Sequence, residues 1–498
     1  SLPEKAALRL ADWASRFFPW IVMPAIRAKV RHDSRGVILS AEYHHLNRYL
    51  NKRRSEGARL NLNLLGEAVL GEEEAARRLE NNLALLRDPN VAYISIKISA
   101  LFSQINELAF VETVTTVKDR LRILYRAARD HLYRFPDGHE VSKFVNLDME
   151  EYSDLHLTVA VFRELLDEEE FQDLRAGIVL QAYLPDSFAV QQELTEWAKE
   201  RVANGGASLK LRIVKGANLA MERVEASAEG WPQAPYRSKE EVDSNFKRML
   251  TFGLQSKNAR ALHIGIASHN LFDIAYAMLL RESLGSEEWS EFEMLEGMAN
   301  HQAAVVSKRT GSLLFYAPIV AAKDFLSAIA YLVRRLDENT SPQNFLHDLF
   351  GLEPGSKEWK EQKERFLIAC CDQEQPATTP NRTQNRITEK IAFSSDEDFV
   401  NAPDTDWALS ANRKWINDKL EEWRDRKIPD IPLHIGGSEI SNDREKVAIK
   451  DPSRPDWNAG FHLLGTLEDV DLALNTAVVA GNQWKETPVP ERKELLLR

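Results

Sequence analysis

The sequence has 498 residues, of which 44% are hydrophobic and 28% are charged, and its formal net charge at pH 7 is −12. These values exclude a chain that is disordered throughout, and the acidic balance argues against a surface for duplex nucleic acid, which needs clustered Lys and Arg. The only two cysteines, Cys370 and Cys371, are adjacent and cannot form a disulfide framework, so a reducing compartment is expected.

The chain length predicts about three domains, or one large barrel with additions. Residues 1–57 are expected to form a helical arm. After this arm, short runs rich in Val, Ile and Leu alternate with longer stretches of helical period, which is the pattern of βα units. The predicted strands are Arg59–Leu65, Val91–Ile98, Phe144–Met149, Gly177–Tyr183, Ser208–Lys215, Leu262–Ser268, Phe292–Leu295 and Ser312–Tyr316.

Eight such repeats predict an α/β fold with a closed (β/α)8 barrel, assigned with its C-terminal helices to residues 58–370. The alternative is an open doubly wound sheet, which is disfavoured because no G-x-G-x-x-G follows the first strand. A polar connector is expected over residues 371–430, and a further domain over residues 431–498. No apolar run reaches the ~18 residues of a membrane span. The chain begins without Met or a signal peptide and stops inside an amphipathic pattern, so we expect a piece of a longer protein.

Barrel enzymes carry their active sites at the carboxyl ends of the strands, and several predicted strands end in polar residues. Lys97 and Asp148 end two neighbouring strands and should pair, either as a buried structural ion pair or as part of a site. Arg212 and Lys215 follow at a later strand end, where they suit an electron-rich ligand or serve as salt-bridge partners. The remaining polar strand ends are Gln181-Ala182-Tyr183 and Ser268-His269-Asn270.

A later helical segment concentrates charge on one face. Tyr331, Arg334, Arg335 and Glu338 fall at positions i, i+3, i+4 and i+7. Two adjacent arginines can hold a small carboxylate in charge-assisted hydrogen bonds, and the alternative is a solvated charged face. The sequence has no phosphate-binding loop, H-E-x-x-H, C-x-x-C or G-x-S-x-G motif, and its 12 His are scattered, so no metal is expected.

Eight short segments, taken in order, carry a resemblance to a known family. They are Leu64-Leu65-Gly66-Glu67, Ser95-Ile96-Lys97-Ile98-Ser99-Ala100, Asn146-Leu147-Asp148, Gln181-Ala182-Tyr183, Arg212-Ile213-Val214-Lys215-Gly216-Ala217, Ser268-His269-Asn270, Leu295-Glu296-Gly297-Met298 and Tyr331-Leu332-Val333-Arg334-Arg335. Over about residues 60–350 the chain resembles the proline dehydrogenase module of bacterial bifunctional proline utilization A flavoenzymes.

The resemblance implies a distorted (β/α)8 barrel that uses FAD to oxidise L-proline to Δ1-pyrroline-5-carboxylate, by hydride transfer from proline C5 to flavin N5. It implies a membrane quinone as electron acceptor, whereas the expectation of no nucleic-acid partner rests on the acidic charge balance. The expected location is therefore the cytoplasm with peripheral attachment to the inner membrane, and a homo-oligomer is left open.

The resemblance also assigns roles to residues. Arg334, Arg335 and Lys97 would bind the proline carboxylate, with Asp148 paired to Lys97. The pocket around the ring would be shaped by Leu295, Tyr316 and Tyr331. The implied flavin contacts are Gln181, Arg212, Lys215, Gly216, Ala217, Asn218, Ser268, His269, Asn270 and Glu338.

Two features depart from the family pattern: Asn218 stands where the family often has Tyr, and the segment 317–330 is longer than usual. Two other functions stay open, a Schiff-base lyase or aldolase that uses Lys97 or Lys215, and a non-catalytic scaffold.

The tail carries a resemblance of its own. Residues 431–498 resemble the opening of an aldehyde dehydrogenase, through Ile435-Gly436-Gly437 and Asp451-Pro452-Ser453 among others. The NAD site and nucleophilic Cys of such a domain would lie beyond Arg498, so we expect no aldehyde dehydrogenase activity from these residues. Cys370 and Cys371 are expected to be incidental.

Overall fold

The structure is a computed structural model that describes residues 16–66, 69–340, 344–349, 352–389 and 401–496, without the side chains of residues 337–340. The described residues up to Thr383, together with Asp406–Ala408, form one compact unit. The described residues of Gln384–Thr405 and those from Leu409 onward form a second unit.

The first unit alternates helices and strands along most of its length. Its helices are α1 Pro19–Asp33, α2 Tyr43–Ser55, α3 Glu72–Arg87, α4 Phe110–Asp130, α5 Asp154–Leu166, α6 Asp186–Ala203, α7 Leu219–Glu229, α8 Lys239–Gly253, α9 Ser256–Ala259, α10 Leu271–Ser283, α11 Asn300–Thr310, α12 Phe325–Thr340, α13 Phe345–Asp348 and α14 Lys357–Cys371. Its main strands are β1 Arg59–Leu64, β2 Tyr93–Ile96, β3 Phe144–Leu147, β4 Gly177–Gln181, β5 Leu209–Val214, β6 Leu262–Ala267, β7 Ser290–Leu295 and β8 Leu314–Val320. Shorter strands are Leu39–Ser40 and the antiparallel pair Tyr133–Arg134 with Glu140–Val141.

The eight main strands are parallel, and each pairs with the next along the chain. The sheet closes because β8 also pairs with β1, with Leu314 opposite Arg59 and Ile319 opposite Leu64. The predicted (β/α)8 barrel is therefore confirmed, and the open doubly wound alternative is wrong.

The last strand of the barrel extends beyond its predicted end at Tyr316 and reaches Val320. In the fold, pairing with β7 stops at Tyr316, and Leu39–Ser40 from the N-terminal arm pairs with Ile319 and Val320 instead. Part of the long segment 317–330 is thus used by strand residues before α12 begins.

The helices bury apolar faces on the outside of the barrel, whereas its interior is largely polar. On α4, for example, Val114, Val117, Leu121 and Leu124 are buried and recur at helical spacing. Inside, hydrogen bonds cross from strand to strand, and one joins Asn61 Nδ2 to Ser95 Oγ at 2.9 Å. Polar side chains are therefore available where the strands end and a site is expected.

The second unit contains α15 Ser410–Trp423, α16 Leu467–Glu486 and α17 Val489–Leu496, with strands β9 Leu433–Ile435, β10 Ser438–Ile440, β11 Lys446–Asp451 and β12 Arg454–Leu463. The strands form two antiparallel pairs, β9 with β10 and β11 with β12. Helix α16 begins with a capping box made by Thr466 and Asp469. In the part of the chain that the structure describes, no helix has the length and apolar character needed to cross a bilayer.

Candidate active site

A cavity of about 400 Å³ lies at the carboxyl ends of the barrel strands and is bordered by α12. The residues that the sequence assigns to substrate or cofactor all line it, apart from Glu338, whose side chain lies outside the described residues. They are Lys97, Asp148, Gln181, Arg212, Lys215, Gly216, Ala217, Asn218, Ser268, His269, Asn270, Leu295, Tyr316, Tyr331, Arg334 and Arg335. The structure brings these residues together, and their individual roles stay predictions.

The expected ion pair between Lys97 and Asp148 is wrong. Lys97 Nζ lies 2.5 Å from Glu150 Oε1, and the other oxygen of that carboxylate accepts a hydrogen bond from Ser99 Oγ. Strands β2 and β3 are in register, so the two predicted partners do end their strands at the same level. Lys97, however, follows the last residue of β2 and keeps a partly exposed side chain at the rim, where Glu150 is the carboxylate within reach.

Asp148 instead belongs to a buried polar network in the mouth of the barrel. Its Oδ2 accepts hydrogen bonds from the hydroxyl of Tyr316 at 2.7 Å and from Asn63 Nδ2 at 3.1 Å, while Oδ1 accepts one from Asn146 Nδ2 at 3.0 Å. Arg212 Nη1 lies 3.6 Å from the same Oδ1. These partners draw the carboxylate inward. Burial and then the Asp148 charge raise the pKa of Tyr316 well above its ordinary value, so the phenol stays protonated and donates.

Arg212 is a fixed cation at the cavity. Its Nε lies 2.9 Å from Glu293 Oε2, and its guanidinium lies 4.6 Å from the centroid of the Tyr316 ring. Burial alone would lower the pKa of Arg212, but the carboxylates of Glu293 and Asp148 outweigh burial, and the pKa is raised.

Lys215 is likewise held by carboxylates. Its Nζ lies 2.5 Å from Asp243 and 2.7 Å from Asp273, and these charges outweigh burial and raise the pKa of the amine. Lys239 shares Asp243, and Lys247 lies 3.0 Å from Asp273. Three lysines on two carboxylates give this wall of the cavity a surplus of positive charge, which suits an anionic group.

Nδ1 of His269 and Oε1 of Gln181 are buried polar atoms of cavity residues, and neither has a hydrogen-bond partner among the described residues. His269 Nε2 accepts a hydrogen bond from the backbone N–H of Leu295 at 3.0 Å, so the proton of the neutral ring lies on Nδ1. Burial and then the charge of Arg335 lower the pKa of His269 to about 4, which keeps the ring neutral at pH 7. These two atoms offer a ligand a hydrogen-bond donor and an acceptor.

Gly216 lets the backbone after β5 pass close to an aromatic ring. Its φ is +120°, and a Cβ at this position would lie 2.5 Å from Cγ of Tyr183. Both the conformation and the contact require glycine here.

The charged face predicted for the later helix lies on α12. Tyr331, Arg334 and Arg335 all line the cavity, and the guanidinium of Arg335 lies 5.3 Å from the centroid of the Tyr331 ring. Arg334 is the more exposed arginine, and its Nη1 donates to Asn218 Oδ1 at 3.3 Å. Asn218 donates its own Nδ2 to the backbone carbonyl of Glu150 at 3.1 Å. The residue that departs from the family pattern thus links Arg334 to the loop after β3.

The same cavity is also lined by polar residues that the motifs do not mark, among them Asn63, Glu150, Asp243, Asp273 and Glu293. Asn63 and Glu293 alternate with apolar neighbours on β1 and β7, a period-two signal that could have marked them as inward-facing. Asp243 and Asp273 lie on α8 and α10, and helix packing alone brings them to the strand ends.

Comparison with known families identifies this barrel. A family model described as proline dehydrogenase matches residues 46–348, which contain the whole barrel and most of the residues that line the cavity. The chain belongs to the proline dehydrogenase family. The resemblance read from the ordered motifs is therefore confirmed.

Other members of this proline dehydrogenase family extend beyond the present chain. The bifunctional protein PutA of Salmonella typhimurium is 24% identical over 476 residues, which are 90% of this chain and 33% of that protein. The structure of proline utilization A from Corynebacterium freiburgense is 41% identical with a TM-score of 0.67, over 86% of this chain and 39% of that one. Proline utilization A from Bdellovibrio bacteriovorus, inactivated by N-propargylglycine, is 29% identical with a TM-score of 0.77, over 96% and 48%. The chain thus spans about a third of the curated relative.

Proposed function

We propose that this chain oxidises L-proline to Δ1-pyrroline-5-carboxylate with bound FAD. The observation that carries the proposal is the joint presence, in one cavity, of the cations Lys97, Arg334 and Arg335 and of the unsatisfied atoms on His269 and Gln181. The three cations suit a small carboxylate, and the other two groups suit a heterocycle with both donors and acceptors. Membership of the proline dehydrogenase family supports this choice of substrate.

FAD fits the groups that the cavity offers. Nδ1–H of His269 and Oε1 of Gln181 would hydrogen-bond to the flavin ring, and the surplus charge of Lys215, Lys239 and Lys247 suits the pyrophosphate. Gly216 borders the cavity, and the contact of its backbone with the Tyr183 ring fixes the loop after β5 at the site. When bound, FAD would supply the acceptor, at flavin N5, for the hydride that leaves proline C5.

The chain's own residues position the substrate. Arg335, Arg334 and Lys97 would bind the proline carboxylate and so fix the orientation of the ring. Tyr316, whose hydroxyl is held by Asp148, would form a wall of the pocket. Proline must react with its amine neutral, because the nitrogen lone pair assists loss of the hydride. No protein side chain has to act as a nucleophile.

The arrangement of Lys215 disfavours a Schiff-base lyase that uses this residue. A lysine that forms a Schiff base must be neutral, whereas two carboxylates hold Lys215 as a cation and raise its pKa. Borohydride trapping in the presence of a carbonyl substrate would reverse this judgement.

A visible spectrum tests the function directly. The purified protein, loaded with FAD, should be yellow and should bleach when L-proline is added without oxygen, whereas D-proline should leave the spectrum unchanged. A protein that cannot be loaded with FAD would refute the proposal. A flavoprotein that L-proline never bleaches, and that reduces no dye with proline, would support the non-catalytic scaffold instead.

Electrons would leave the enzyme to a membrane quinone, so the working enzyme should attach peripherally to the inner membrane. Proline-dependent quinone reduction in vesicles is the measurement. If soluble quinone analogues and vesicle-bound quinone are both left oxidised while an artificial dye is reduced, another acceptor is required.

A further inference from the structure

Six alternating charges run through the barrel interior from the cavity toward the opposite end. In order they are Asp148, Arg212, Glu293, Lys210, Glu291 and Arg59. Arg212 lies 3.6 Å from Asp148 and 2.9 Å from Glu293, and Lys210 Nζ lies 2.7 Å from the carboxylates of both Glu293 and Glu291. The row is electrically balanced, with three charges of each sign.

Glu293 is the most buried member of this row. Its side chain is 0% exposed, compared with 7% for Lys210 and 10% for Arg212. Glu293 and Arg212 line the cavity, whereas Lys210 and Glu291 lie outside its lining. Glu293 therefore connects the cavity to a buried ionic pair that the proposed chemistry does not use.

The contact between Glu293 and Lys210 fits inside the barrel because the neighbouring residue on β6 is Gly265. A Cβ on Gly265 of β6 would lie 2.4 Å from Glu293 Oε1 and 2.9 Å from Lys210 Cε. Any larger residue at this position would displace one of the two charged side chains. The pairing of Glu293 with Lys210 is thus part of how the strands pack.

We propose that Glu293 is a positioning residue for the flavin side of the cavity: it fixes Arg212 at the site proposed for the ring, and its charge limits how strongly that site favours the reduced cofactor. The inference rests on the proposed function, because it needs FAD in the cavity. Glu293 acts through Arg212 and is not expected to touch proline.

The sign of the effect follows from the balance of charges. Replacing Glu293 by Gln keeps the shape of the side chain but leaves the row with one excess positive charge. Charges this deeply buried are weakly screened by salt. Because reduction adds electron density to the flavin, an excess positive charge nearby should stabilise the reduced form relative to the oxidised form.

The first test is the midpoint potential of the FAD-loaded Glu293→Gln variant, measured by anaerobic spectrophotometric titration. We expect a shift to more positive potential that corresponds to about a tenfold stabilisation of the reduced form, or about 30 mV for a two-electron couple. The matched control is Glu291→Gln, which removes a carboxylate from the same Lys210 but outside the cavity. The shift in potential of Glu291→Gln should correspond to less than about a threefold stabilisation of the reduced form.

The second test is rescue, which a general disturbance of packing would not produce. Adding Lys210→Met to the Glu293→Gln variant removes the excess charge. The stabilisation of the reduced flavin, calculated from the midpoint potential, should then return to within about threefold of the wild-type value. If Glu293→Gln does not fold or hold FAD, Lys210→Met alone is measured, and its potential should shift to more negative values.

A wild-type potential in Glu293→Gln, a shift without rescue, or an unshifted Lys210→Met overturns the inference. These failures are distinct from failure of the proposed function, which would appear earlier as wild-type protein that cannot be loaded with FAD.

Discussion

The two arginines of α12 should contribute unequally to proline binding. Arg335 is partly buried beside the Tyr331 ring, whereas Arg334 is exposed and makes a 3.3 Å hydrogen bond to Asn218. A hydrogen bond to a charged group in a sheltered site contributes about 1.5–3 kcal/mol, and an exposed ion pair about 0.2–1 kcal/mol. Arg335→Met should therefore raise the KM for proline roughly 10- to 150-fold, and Arg334→Met by about fivefold or less.

Steady-state reduction of a dye by proline measures the KM of each variant. The flavin-to-protein absorbance ratio shows whether each variant keeps its cofactor. The control is Val333→Met, an exposed position directly before the two arginines on the same helix and outside the cavity lining, which should leave KM within about twofold. Equal effects of the two arginine variants would refute the argument from burial. Wild-type KM in both would show that neither arginine binds the carboxylate.

Three further predictions concern pH, the cofactor and stability. His269 binds a proton in the unfolded chain below about pH 6.5 but in the native fold only near pH 4, so native stability should fall over this window as the pH is lowered. His269→Gln should reduce that fall by on the order of 3 kcal/mol at pH 4, and an unchanged decline of the melting temperature contradicts the argument. Gly216→Ala should lose most of its FAD, because the added Cβ would collide with the Tyr183 ring. The control Gly205→Ala, at φ +86° with open space around it, should keep its FAD. Equal flavin-to-protein ratios in the two variants count against a role for the contact between Gly216 and Tyr183. Arg382→Met removes a buried guanidinium that lies 3.1 Å from Glu225, and should destabilise the first unit by roughly 3–5 kcal/mol, seen as a lower melting temperature. Melting at the wild-type temperature would show that this ion pair is dispensable.

The barrel architecture and the residues that line the cavity could be predicted from the sequence, because both follow from the periodic alternation of strands and helices. Alternating Val, Ile and Leu mark the strands, and the closed barrel brings all strand ends to one mouth, so Lys97 and His269 meet in one cavity although 172 residues separate them. The predicted end of β8 at Tyr316 is too early, because the later residues pair with Leu39–Ser40, a segment far away in the sequence.

The choice of partners within the cavity was not accessible in the same way. Two carboxylates, Asp148 and Glu150, lie within three residues of each other after β3, and strand register does not decide which of them Lys97 meets. The hydrogen bonds that draw Asp148 inward come from other strands, including one from Tyr316. Such long-range competition for one side chain depends on three-dimensional packing.

Closure of the barrel between β1 and β8 also sets an order of events during synthesis. The pairing of Arg59 with Leu314 joins residues separated by 255 positions. At about 5–20 residues per second, a ribosome needs roughly 13–50 s to cover that distance, and during this time β1 has no closing partner. Arg212 leaves the ribosome well before Glu293, so the ionic row in the interior stays incomplete until late. The cavity also includes residues of α12 in its lining, so its complete set of side chains is present only after α12 has emerged.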